Sequence, residues 1–125
     1  MHSKNILLVA LGGAVGAVLR YVLSYFFLLK SKASFPFATL LINILGSFLM
    51  ALLLGILNNY CIEKETLKAL LIAGFCGGFT TFSAFSAETY QLYAQGSYLQ
   101  MLFYVSLSIV LSLLAFALGF SIFKA

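Results

Sequence analysis

Four long apolar runs separated by short polar connectors fill almost the whole chain. The first extends from Ile6 to Leu29, the second from Pro36 to about Asn58, the third from Thr66 to Ala94 and the fourth from Tyr98 to Phe123. A helix that crosses a bilayer needs about 20 consecutive, predominantly apolar residues, and each run meets that length. The pattern predicts an all-α membrane protein with spans at about 5–29, 36–58, 66–94 and 98–123, forming one domain over residues 1–125. Pro36 suits the first turn of the second span, because its missing N–H is not needed there. Thr66 is the expected N-cap of the third, and Gln95-Gly96-Ser97 the tight turn into the fourth. The first run is too long for the apolar core of a cleaved signal peptide, about 7–15 residues, so the spans themselves are expected to direct insertion.

One stretch departs from the smooth apolar pattern. Gly74 to Glu88 reads GFCGGFTTFSAFSAE. Gly77 and Gly78 are poor helix formers, and Thr80 and Thr81 are β-branched and polar. The expectation is a third span broken near Gly77–Thr81. Loosened backbone at membrane depth survives only when buried in protein or lining a watery cavity. Half-helices meeting near the midplane commonly build ion sites.

Composition narrows the class further. The chain has 125 residues, of which 63% are hydrophobic and 8% charged. Soluble domains carry about 25% charged residues. The net charge of +4 comes from groups mostly near span ends, with no basic face or motif for nucleic acid, so anionic lipid head groups are the expected partners. The two cysteines, Cys61 in a connector and Cys76 in the third span, form no disulfide framework and no metal spacing. Lys4, Lys64, Lys68 and Lys124 fall on one side of a four-span topology, against Lys30 and Lys32 on the other, with Arg20 further inside its helix. That bias is weak by the positive-inside rule. It leaves both a fixed orientation and insertion both ways up, hence an antiparallel pair, open. Four helices do not readily enclose a polar path and also shield it from lipid, so a homo-oligomer is expected.

Polar side chains within the spans carry the candidate chemistry. Thr39, Asn43 and Ser47 share one face of the second span, and Tyr104, Ser108 and Ser112 one face of the fourth. Asn43 offers donors and an acceptor, suited either to an anion or to gluing two helices. Hydroxyls serve an anion or bond back to their own helix. Arg20 either snorkels to the interface or makes a vestibule electropositive. Phe82 and Phe85 lie on one face if the chain is helical after the break, and the positive edge of an aromatic ring can turn towards an anion without holding it by a fixed charge. Carbonyls freed at a turn over Gly77–Thr80 suit a small hard cation; the alternative is a kink satisfied by the Thr80 and Thr81 hydroxyls. Gly12 and Gly16 pack either within one subunit or between subunits. Glu88 either pairs with Arg20, caps polar groups or sits at the interface.

Taken together, these residues resemble the Fluc (CrcB) fluoride channels of bacteria. The likeness rests on Gly12-Gly13-Ala14-Val15-Gly16-Ala17 with Arg20-Tyr21, on Phe37-Ala38-Thr39-Leu40 with Asn43 and Gly46, and above all on Gly74 to Glu88. The resemblance implies an antiparallel, dual-topology homodimer in the bacterial inner membrane, with two pores to which both subunits contribute. It implies passive conduction of fluoride down its electrochemical gradient, which lowers cytoplasmic fluoride. Phe82 and Phe85 would line the anion path with ring edges, and Asn43 would donate to the ion. Thr39, Thr81, Ser83, Tyr104, Ser108 and Ser112 would supply further polar lining, and Arg20 would lie near a vestibule. A structural, untransported Na+ would sit at the dimer centre on the main-chain carbonyls of Gly77 and Thr80. No catalytic constellation or nucleotide motif is visible. Two competing classes are a small proton-coupled, dual-topology multidrug exporter, which would want an acid in the first span, and a non-transporting membrane scaffold, which gives no reason for Phe82, Phe85 and Asn43 beside a broken span.

Overall fold

The computed structural model describes residues 2–30, 34–60 and 64–123. Among these residues every regular element is helical. Helix α1 spans Ser3–Lys30 and α2 spans Phe37–Tyr60. A short α3, Lys64–Leu67, runs into a π-helical stretch, Lys68–Cys76, and then into α4, Gly77–Phe79. Helix α5 covers Phe82–Ala94 and α6 covers Tyr98–Ser121. Four helical stretches are long and apolar enough to cross a membrane, taking Lys64–Ala94 as one. At 1.5 Å per residue, even the 24-residue α2 and α6 reach about 36 Å, beyond a hydrocarbon core of about 30 Å.

Element ends differ from the sequence-based reading in small ways. Helix α2 starts at Phe37, with Pro36 just before it and its carbonyl accepting from the Leu40 amide at 3.3 Å. Thr66 is inside the first turn of α3 rather than capping it. Within the stretch Gly77–Thr81 the departure from helix is confined to the last two residues. Gly77 has helical angles, φ −63° and ψ −37°, whereas Thr80 and Thr81 are extended, with ψ of 153° and 127°. The expected tight turn after α5 is a Schellman ending. The Gly96 amide donates to the Tyr93 carbonyl and the Ser97 amide to the Leu92 carbonyl, with Gly96 at φ +77°, where a Cβ would be strained. The expected positions of Cys61, Lys32 and Lys124 lie outside the described residues.

The glycines stay helical because they are used for close approach. A Cβ on Gly12 would strike the Leu70 carbonyl, and one on Gly16 the Phe75 carbonyl. One on Gly78 would come within 2.5 Å of the Gly13 carbonyl oxygen. Backbones that touch in this way are how small residues join helices in lipid, where apolar side chains gain nothing by leaving their neighbours. Gly12 and Gly16 therefore pack α1 onto the third span of the same chain. Helix α2 packs lengthwise on α6, where Gly119 lies against the Phe48 carbonyl and Ala51. One buried cluster consists of Leu40, Leu92 and Tyr104, surrounded by Phe35, Ile44, Phe85 and Met101. Large apolar side chains such as Leu7, Leu28, Leu99 and Leu113 point outwards, as suits a chain whose solvent is lipid. Cys76 is completely buried, as expected of a small apolar filler.

Candidate functional site

The gap between α4 and α5 is held open by side chains from two other helices. Asn43 on α2 makes a two-way clamp on Thr81: its Nδ2 donates to the Thr81 carbonyl at 3.0 Å, and its Oδ1 accepts from the Thr81 amide at 2.9 Å. Arg20 on α1 donates through Nε to the Gly78 carbonyl at 3.2 Å. The threonines satisfy their own neighbourhood. Thr80 Oγ1 donates to the Cys76 carbonyl at 2.7 Å, and Thr81 Oγ1 accepts from the Ala84 amide at 3.2 Å, capping α5. Gly46 on α2 leaves room for Thr80; a Cβ there would collide with the Thr80 methyl group.

A cleft of about 540 Å³ opens beside this gap. Its polar lining is Asn43, Ser47, Thr80, Thr81, Ser108 and Ser112, and its apolar lining includes Phe82, Phe85, Met50, Ile109 and Phe116. No lining residue carries a formal charge. Phe82 and Phe85 do share a face, with ring centroids 5.5 Å apart. Phe82 is 79% exposed. Ser108 Oγ is buried yet has no hydrogen-bond partner among the described residues. A buried polar atom without a partner costs stability unless something else occupies the site. Such a cleft offers hydroxyl and amide donors and no cation, a set able to receive an anion without trapping it.

A second polar cluster lies towards the other end of α5. Glu88 accepts from Thr39 Oγ1 at 2.8 Å and from Tyr104 Oη at 2.7 Å, ordinary lengths for hydroxyl hydrogen bonds. A smaller cleft of about 220 Å³ borders it, lined among others by Ser24, Ser34, Thr39, Glu88 and Gln91. Of the three options for Glu88, the structure selects the hydrogen-bonded one, since Arg20 bonds Gly78 instead. The Tyr104 ring joins the two regions by lying 5.2 Å from the Phe85 ring.

The residues singled out in the sequence are thus divided. The large cleft gathers Asn43, Gly77, Thr80, Thr81, Phe82, Phe85, Ser108 and Ser112. Thr39 and Tyr104 gather around Glu88. Ser83 is exposed, with its hydroxyl 3.1 Å from that of Thr81, and does not line the cleft. The anchoring of Gly78 by Arg20, and the Glu88 contacts, have no signal in local spacing, because their partners are 49 and 58 residues apart for Thr39–Glu88 and Arg20–Gly78.

Comparison with known proteins bears on this arrangement. Residues 7–120 match the family described as CrcB-like protein, Camphor Resistance (CrcB). The chain belongs to that family. A "Fluoride-specific ion channel FluC" of Shewanella sp. (strain ANA-3) is 47% identical over 116 residues, covering 93% of each chain. One of Leptospira interrogans serogroup Icterohaemorrhagiae serovar copenhageni is 46% identical over 108 residues, covering 86% of this chain and 85% of the relative. Another, of Azobacteroides pseudotrichonymphae, is 42% identical over 118 residues, covering 94% of each. These three relatives are named as ion channels and not as enzymes.

Proposed function

We propose that this chain is a fluoride-specific channel that lets the anion leave a bacterial cell passively across the inner membrane. The observation that carries the reading is the uncharged, donor-lined cleft beside Phe82 and Phe85, in a chain related throughout its length to proteins named fluoride-specific channels. Fluoride holds its water strongly. A path for it needs several directed donors to replace that water, and none so strong that the ion stays. Asn43 Nδ2 has a second N–H beyond the one given to Thr81, and Ser108 and Ser112 have rotatable hydroxyls. The positive ring edges of Phe82 and Phe85 add attraction without a fixed charge. Thr39 and Tyr104, both bonded to Glu88, continue the polar lining beyond the cleft.

The cleft is open on one side, and a lipid tail cannot solvate an anion there. A second copy, inserted upside down, supplies the missing wall in this reading, giving an antiparallel homodimer with two pores. A sodium ion at the centre of that dimer fits the donors present. In a continuous helix the Thr81 amide would donate to the Gly77 carbonyl, and the Ala84 amide to the Thr80 carbonyl. Here they donate to Asn43 Oδ1 and Thr81 Oγ1. The Gly77 and Thr80 carbonyl oxygens are thereby left to hold a hard cation, which would supply a fixed positive charge when bound. The chain's own part is to hold those carbonyls in place through Asn43 and the threonine hydroxyls.

The test is anion efflux from liposomes containing the purified protein, comparing fluoride with chloride and with no proton gradient imposed. Fast fluoride loss with little chloride loss is expected. Efflux that required a proton gradient would favour a proton-coupled exporter, and no efflux at all a scaffold.

A further inference from the structure

We propose that Arg20 is a positioning residue: its Nε–H replaces the helical donor that the broken span takes away from the Gly78 carbonyl. In an unbroken helix that donor would be the Phe82 amide. Thr80 and Thr81 are extended, and an extended residue advances about 3.3 Å where a helical one advances about 1.5 Å. The amide is carried away and the carbonyl at the end of α4 is left open. Last-turn carbonyls of a helix need a partner when water is absent.

Helix α1 is placed to supply that partner. Gly12, Gly13 and Gly16 bring its backbone into contact with Gly74, Phe75, Gly78 and Phe79, so the two helices run side by side up to the end of α4. Arg20 comes one turn after Gly16, just past that end. Helical side chains lean towards the N-terminus of their own helix, and this one leans back to the Gly78 oxygen at 3.2 Å. With Asn43 holding Thr81 from the other side, the gap is pinned at both ends by contacts within one chain. The broken conformation is therefore set before any partner arrives, and the carbonyls and ring faces around it are presented ready-made. The assignment uses the channel reading only for its flux measurement; the contact itself does not depend on it.

Three proteins decide the matter: wild type, Arg20→Gln and Arg20→Met. Glutamine Nε2 lies as many atoms from Cα as arginine Nε, so it keeps the donor and drops the charge. Methionine keeps the length and drops both. Thermal melting of each purified protein is measured, then fluoride efflux per folded molecule over a range of fluoride concentrations. Arg20→Gln is expected to melt like wild type and to conduct within about threefold of it. Arg20→Met is expected to melt lower and to lose roughly tenfold in maximal flux, the scale of one hydrogen bond from a charged donor. Equal impairment of both variants, relieved by raising fluoride, would mean that Arg20 acts by its charge on the vestibule and would overturn the assignment. If wild type carries no fluoride, the channel reading fails, and the order of melting still decides the cap. Should Arg20→Met not fold, wild-type-like melting of Arg20→Gln supports the cap and a matching failure of Arg20→Gln refutes it.

Discussion

Replacing Asn43 with alanine isolates the clamp on which the gap between α4 and α5 depends. The side chain makes two hydrogen bonds to a single residue, 3.0 Å to the Thr81 carbonyl and 2.9 Å to the Thr81 amide. Alanine leaves both main-chain groups behind without partners. A buried group stripped of its hydrogen bond costs about 1–3 kcal/mol, which would give about 2–6 kcal/mol for the pair. The site is only partly buried and borders the cleft, so water can recover part of that, and the lower half of the range, about 2–4 kcal/mol, is the expected loss. Equilibrium unfolding in mixed micelles measures it, with Ser47→Ala, one turn along the same cleft, as the control, expected to change stability by less than about 0.5 kcal/mol. Fluoride efflux per folded molecule should fall much further for Asn43→Ala than for Ser47→Ala. If the two variants lose stability equally, the Asn43 clamp is not what holds Thr80 and Thr81 extended, and the account of the gap is wrong.

The two neighbouring glycines should respond in opposite ways. A Cβ on Gly78 meets the Gly13 main chain at 2.5 Å, while the nearest atom to one on Gly77 is the Ile72 oxygen at 3.7 Å, so Gly78→Ala should sharply lower the folded yield and the melting temperature and Gly77→Ala should not. Equal melting of the two would show that α1 does not depend on that contact. Phe82→Ile and Phe85→Ile keep apolar bulk but remove the ring edge, and should reduce fluoride efflux at least tenfold with normal assembly in size-exclusion chromatography; unchanged flux would remove both rings from the path. Exchanging all sodium for a large organic cation, with lithium also absent, should reduce activity or dissociate the assembly, and full activity in that medium would rule out an obligatory ion on the Gly77 and Thr80 carbonyls.

Much of this molecule can be read from its residues one segment at a time. Hydrophobicity over a helix length is a local property, so the four spans are visible in the sequence, as are the uncharged α5–α6 turn and the oddity of Gly74 to Glu88. Helical spacing likewise puts Thr39, Asn43 and Ser47 on one face and Phe82 with Phe85 on another. What local reading left undivided within Gly77–Thr81 is instructive. Helix propensity marks Gly77 and Gly78 as the weak point, yet both are helical, because α1 presses its own backbone against Gly78 and no larger residue fits. Of the stretch Gly77–Thr81, it is Thr80 and Thr81 that leave the helix, where hydroxyls can satisfy the backbone and Asn43 can grip it.

The sequence by itself determined the medium, the number of spans and the kinship of the chain, since these follow from composition and residue order. Tertiary structure alone decided which partner each polar group received: Arg20 the Gly78 carbonyl, Asn43 the Thr81 backbone, Glu88 the hydroxyls of Thr39 and Tyr104. In a setting without water a polar group must bond to whatever packing brings within reach, and packing is settled by how helices far apart in the chain fit together.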